Sequence, residues 1–120
     1  MLDAESAILK RIESRLPLGE NIWTYPVGAG QWPQASVLVA LTTEAEPSVL
    51  LGRRAAHLPL HPGEIAFAGG KREAIDLSPW QTATREALEE VGLSADLICP
   101  LGELEPLITR TGFEVFPCVA

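Results

Sequence analysis

Apolar residues recur at Ala4, Ile8, Leu9, Ile12 and Leu16, and Pro17 closes the run. That spacing predicts an amphipathic helix over about residues 3–16. Residues 17–33, rich in Pro and Gly, read as a connecting loop in which Ile22, Trp23 and Val27 anchor the chain or form a short strand. Two aliphatic runs, 36–42 and 48–51, read as strands of a hairpin joined by the polar residues 44–47. A loop follows at 57–63, with Pro59 and Pro62, then a short strand at 64–67 that ends at Gly69 and Gly70.

The sharpest element is a helix over about residues 79–91. Ser78 is placed as its N-cap, Pro79 at its first position, Gln81 to complete a capping box and Gly92 for a left-handed C-cap. Beyond it, 97–104 and 113–120 read as strands, joined through a polar turn at 109–112. At 120 residues the chain holds a single domain, 1–120.

On helix 79–91, Trp80, Ala83, Ala87, Leu88 and Val91 fall on one arc at about 100° per residue, the arc expected to meet a sheet. Glu86, Glu89 and Glu90 are read as the opposite arc. Such a cluster is most often plain solvated surface. Its functional alternative is a hard divalent cation, Mg²⁺ or Mn²⁺, held by carboxylates to meet a phosphate substrate. No His or Cys lies close by in sequence, which argues against zinc.

Composition narrows the partners. A net charge of −7 argues against non-specific nucleic-acid binding, which needs a basic face, whereas a polyphosphate can still bind through a bridging cation. No run of 18 apolar residues occurs, and the acidic N-terminus, with Asp3 and Glu5, does not resemble a signal peptide. Cys99 and Cys118 lie in apolar runs and read as buried free thiols, which suits a reducing cytoplasm.

The segment from Gly70 through five residues to Asp76, then eight residues to Arg85-Glu86-Ala87-Leu88-Glu89-Glu90-Val91-Gly92-Leu93, closely resembles the signature of the Nudix hydrolases, over residues 70–93. It departs from the usual pattern in having Asp76 for Glu and one extra residue before Arg85. Both departures are familiar in the coenzyme A pyrophosphatase-like subgroup. The upstream motif of that subgroup is matched by Leu50-Leu51-Gly52-Arg53-Arg54-Ala55, His61, Gly63 and Phe67-Ala68-Gly69-Gly70. Gly52, Pro59 and Ala68 depart from it, and these changes bear on coenzyme A specificity rather than on fold or metal site.

The resemblance implies a Nudix α/β/α sandwich with a mixed sheet. It implies Mg²⁺- or Mn²⁺-dependent hydrolysis of a nucleoside diphosphate linked to another moiety, coenzyme A or its derivatives first. Glu86 and Glu90 would be the principal metal ligands, with Glu89 a further one, direct or through water, and the carbonyl of Gly70 a backbone oxygen; Arg85 would orient the acids by ion pairing. Arg54 fits the subgroup pattern as a substrate contact. Lys71 is a further substrate-binding candidate, although for Arg53, Lys71 and Arg72 a solvated surface role is the simpler reading. Glu73 and Asp76 read equally as contacts behind the metal site or as loop. His57 and His61 read as structural, and Trp23, Trp32 and Trp80 as packing, with Trp32 alone placed to reach a ligand.

Alternatives within the chemistry are ADP-ribose, a dinucleotide polyphosphate or an oxidised nucleotide as substrate. An alternative outside it is a catalytically silent sensor domain. Assembly, a homodimer included, is left open. Because the apolar run at 113–120 carries no closing turn signal, a longer protein of which this is a C-terminally incomplete piece is expected.

Overall fold

The computed structural model describes residues 6–17, 22–23, 26–53 and 63–120. Helix α1 (Ala7–Arg15) starts at Ser6, whose hydroxyl accepts from the Leu9 N–H at 3.2 Å. It ends one residue before the predicted Leu16, which is extended. Residues 3–5 of the expected helix lie outside the described residues.

Strand β1 (Gln34–Val39) is the spine of the sheet. It pairs antiparallel with β4 (Ala68–Lys71) and parallel with β7 (Glu114–Val119). On its far side β7 pairs with β5 (Gly102–Glu103) and β6 (Leu107–Ile108), both antiparallel. The result is a mixed sheet in the order β4-β1-β7-β5, with β6 beside β7.

Three strand predictions need correction. The strand expected at 64–67 is β3 (Ile65–Ala66) alone, and Gly69 and Gly70, expected to end it, lie inside β4 instead. The run 48–51 forms only an isolated bridge, Val49 to Leu41. Val49, Leu50 and Leu51 stay exposed, so no buried face draws them into a ladder. Pairing resumes at β2 (Gly52–Arg53) with β3 (Ile65–Ala66), a separate two-stranded sheet. The run 97–104 begins instead as a 3₁₀ turn, Ala95–Leu97, and only β5 is strand. Pro100, which has no N–H to give a ladder, lies between them.

Helix α2 (Pro79–Val91) has the predicted bounds. Ser78 Oγ accepts from the Gln81 N–H at 3.1 Å. Gln81 Oε1 reaches back one residue further than a capping box would, to the Leu77 N–H at 2.9 Å. Gly92 closes the helix at φ +69°, a left-handed conformation that glycine adopts without a Cβ clash.

Alternation along the strands puts the two helices on opposite faces. Leu38, Ala68 and Cys118 face α2 and meet Ala83 and Ala87, which are fully buried. Val39 and Val119 face the other way and join Leu9 of α1 and Leu101. The layers are therefore helix, mixed sheet, helix. Alanines on α2 let its axis lie close to β4, and this closeness shapes the site.

Candidate active site

Glu86 does not lie on a solvent arc opposite the sheet, as the helical projection had suggested. The residues of α2 that are buried are Pro79, Thr82, Ala83 and Ala87, and Glu86 falls among them at about 100° per residue. Leu88, expected to face the sheet, is 56% exposed. The helix is rotated so that Glu86 points at β4. Gly70 makes that possible: a Cβ there would lie 2.5 Å from Glu86 Cδ and 2.6 and 2.8 Å from its two oxygens. The carboxylate occupies the place of the missing side chain.

Arg85 binds this region together. Its Nε donates to Asp76 Oδ1 at 3.0 Å and its Nη2 to Asp76 Oδ2 at 2.9 Å. Nη2 also donates to the Lys71 carbonyl at 3.1 Å, and Nη1 to Glu86 Oε1 at 2.9 Å. Weaker contacts run to Glu89 Oε2 at 3.5 Å and Glu73 Oε1 at 3.6 Å. One guanidinium thus ties β4, the loop after it and α2.

Asp76 is buried, and receives the Glu73 N–H at 2.8 Å and the Thr82 hydroxyl at 2.9 Å besides Arg85. Burial alone would raise its pKa. The hydrogen bond from Arg85, then those from the Glu73 backbone and Thr82, and the Arg85 charge outweigh it and hold the carboxyl below its ordinary range. The same partnership raises the pKa of Arg85, with Asp76 the main cause and Glu86 a lesser one. Arg85 is cationic at every working pH.

The other expected residues are more dispersed. Glu89 and Glu90 are exposed on the last turns of α2. Among the described residues no three His, Cys, Asp or Glu side chains are gathered into a metal cage. Lys71 is next to Gly70 in β4, so its side chain leaves the opposite face of the strand from Glu86. Its ammonium sits 5.3 Å from the Phe113 ring. Arg54, His57 and His61 lie outside the described residues.

Arg72 is not simple surface. Its guanidinium stacks 4.7 Å from the Trp23 ring, and Nη1 donates to Gln34 Oε1 at 2.7 Å. Trp23 meets Phe116 edge-on at 4.9 Å and donates its Nε1–H to Thr82 Oγ1 at 3.3 Å. Trp23 is therefore a packing residue, as expected, and it also buttresses Thr82 and, through Thr82, Asp76. Thr82 was missed in the sequence. Its only signal there is its position, one helical turn before Glu86.

Residues 32–117 match the family described as NUDIX domain. The chain belongs to the Nudix family. Proteins described as "Uncharacterized Nudix hydrolase NudL" from Yersinia pestis (strain Pestoides F) and Yersinia pseudotuberculosis serotype O:1b (strain IP 31758) are each 39% identical to it over 115 residues, 95% of this chain and 58% of theirs. The chain thus spans 58% of the length of these curated relatives. Among solved structures, the Nudix domain of Shewanella oneidensis NrtR complexed with ADP ribose aligns with TM-score 0.57 at 22% identity, over 81% of this chain and 65% of that one. A Nudix hydrolase from M. smegmatis, RenU, aligns with TM-score 0.55 at 23% identity, over 73% of this chain and 61% of that one. These likenesses establish the Nudix fold. Among the described residues no helix is long and apolar enough to cross a membrane.

Proposed function

We propose that this Nudix chain carries the site of a Mg²⁺- or Mn²⁺-dependent pyrophosphohydrolase. It would cleave the diphosphate of a nucleoside diphosphate linked to another moiety. The observation that carries this reading is the Glu86 carboxylate seated over Gly70 and held by Arg85 at 2.9 Å. A carboxylate is rarely placed against a sheet unless something there needs its charge.

The donor set fits a hard divalent cation, being all oxygen: Glu86, Glu89, Glu90 and the Gly70 carbonyl. When bound, such an ion screens the diphosphate and lowers the pKa of a coordinated water. The protein's part is placement. Arg85, anchored on Asp76, fixes Glu86 and draws Glu89 towards it. Glu89 and Glu90, exposed on the last turns of the helix, would complete the donor set. Arg54 and Lys71 are the candidates for contacts to phosphate oxygens, and Lys71 would have to leave the Phe113 ring to make one.

For the substrate, coenzyme A or its derivatives come first, on the upstream motif. ADP-ribose is the second reading, supported by the ADP-ribose complex of the NrtR Nudix domain. Both are adenine compounds joined through a diphosphate. The compartment that suits the two free thiols, Cys99 and Cys118, is a reducing cytoplasm.

A panel of coenzyme A, an acyl-coenzyme A, ADP-ribose, a dinucleotide polyphosphate and an oxidised nucleoside triphosphate, with and without Mg²⁺ or Mn²⁺, tests the proposal. Metal-dependent cleavage of a diphosphate-linked compound, lost by orders of magnitude in Glu90→Gln, is the expected result. A strong preference for the triphosphate overturns the substrate class. An unchanged Glu90→Gln rate overturns the assignment of the helix.

A further inference from the structure

Ser36 lies at the centre of β1, wholly buried, and its hydroxyl has no hydrogen-bond partner among the described residues. On its face of the sheet lie Leu38 of β1 and Ala68 of β4, against which Ala83 and Ala87 of α2 pack. A buried hydroxyl without a partner weakens a fold relative to alanine, so its presence there calls for a physical account.

The register supplies one. Ser36 stands directly opposite Gly70 in the β1–β4 pair. Residues so paired project to the same face, with Cβ positions about 4.5–5.5 Å apart. At Gly70 that position is filled by the Glu86 carboxylate, whose atoms lie 2.5–2.8 Å from where the Cβ would be. The orphan hydroxyl and the carboxylate therefore share one small space between sheet and helix. One carboxylate oxygen, Oε1, accepts from Arg85.

We propose that Ser36 is a positioning residue for Glu86. Its hydroxyl donates a hydrogen bond to the inner side of the carboxylate when the outer side engages a divalent cation. This rests on the reading of the site given above. A metal-binding carboxylate needs such a donor behind it to fix its orientation, and Arg85, committed to Asp76 by two hydrogen bonds, reaches Glu86 from one side only. Ser36 supplies a second direction, from the sheet.

The proposal predicts opposite signs for stability and for metal affinity. Mn²⁺ binding to the metal-free protein, followed by electron paramagnetic resonance, and melting temperature in chelator are measured for the parent, Ser36→Ala, Ser36→Cys, Glu86→Gln and the double variant Ser36→Ala/Glu86→Gln. Ser36→Ala is expected to melt no lower than the parent, yet to bind Mn²⁺ about tenfold more weakly. Ser36→Cys, near-isosteric with a weaker donor, falls between them. In the Glu86→Gln background Ser36→Ala adds no further loss. Parent-like Mn²⁺ affinity in Ser36→Ala, or an equal loss with and without Glu86, overturns the role of Ser36. If the parent itself binds no Mn²⁺, the metal reading of the site fails and this inference fails with it.

Discussion

Arg85 grips Asp76 with two parallel hydrogen bonds, 3.0 and 2.9 Å, across nine residues of chain and the whole cap of α2. The fork geometry suits a guanidinium and no other side chain. Asp76 is almost wholly buried and Arg85 largely so. The pair fixes where the arginine sits, and the arginine fixes where Glu86 sits.

Removing the acid from this pair has a signed pH dependence. The folded pKa of Asp76 is depressed, so the stability it contributes is fully present above the ordinary carboxylate range. It is lost as pH falls through the depressed folded value. Asp76→Asn should cost about 2–3 kcal/mol near neutrality, less than the ~3–5 of a fully buried pair because the guanidinium keeps some solvent. The gap between parent and variant should narrow as pH is lowered from 6 towards 2. Chemical denaturation across that range measures it, and a constant gap would show that Asp76 acts by shape alone.

Gly70→Ala tests the seat of Glu86. The added methyl would lie 2.5 Å from Glu86 Cδ, so the carboxylate must leave. A displacement of about 1 Å in a reacting geometry costs on the order of a hundredfold in rate. Metal-dependent turnover should fall by about that factor, while circular dichroism stays that of a folded protein. Unchanged turnover would mean that the carboxylate works from another position.

Much of this was readable from the sequence, for identifiable reasons. Helix α2 is specified locally: cap, proline and terminal glycine lie in one short segment, and each structures its own neighbourhood. The same locality gave the Arg85–Glu86–Glu89–Glu90 series. Its orientation was not local. Which arc faces the sheet is decided by Gly70 and the buried alanines together, and a projection of the helix alone placed Glu86 on the wrong side and Leu88 on the wrong side too. Strand bounds failed for a related reason: β2, β3, β5 and β6 are two residues each, below the length at which alternation carries a signal, so β2 and β6 escaped and β3 and β5 are shorter than the predicted runs 64–67 and 97–104 that contain them. Ser36 was invisible because a serine within an aliphatic run reads as one tolerated polar residue until its partner across the strand is known.

Thr82 links the packing of the loop to the site. Its hydroxyl donates to Asp76 at 2.9 Å and accepts from Trp23 at 3.3 Å. Thr82→Val preserves volume and deletes both bonds, leaving the indole N–H and one carboxylate lone pair unmatched. A loss of about 1–3 kcal/mol is expected by thermal or chemical denaturation. Trp23→Phe, which removes the donor to Thr82 and shrinks the ring that packs on Arg72 and Phe116 but leaves the Thr82–Asp76 bond in place, should cost less than Thr82→Val. The reverse order would mean that the indole packing, not the hydrogen-bonded link to Asp76, carries the effect.

The two cysteines should differ sharply towards a thiol reagent. Cys118 is wholly buried under α2, and burial, with a smaller contribution from the charge of Glu103, pushes its thiol up to about 12. Attack requires the thiolate, and at pH 8 a group of that pKa is ionised to roughly one part in ten thousand. The reagent also has no path to it without opening the contact of α2 with the sheet. Cys99, at the edge of an apolar cavity lined by Leu9, Leu97 and Leu101, is only half-buried. Native protein should therefore modify at Cys99 alone, with Cys118 following only in denaturant. Peptide mapping by mass spectrometry after timed labelling separates the two. Early modification of Cys118 in native buffer would show that α2 lifts from the sheet on that timescale, and with it the seat that holds Glu86 over Gly70.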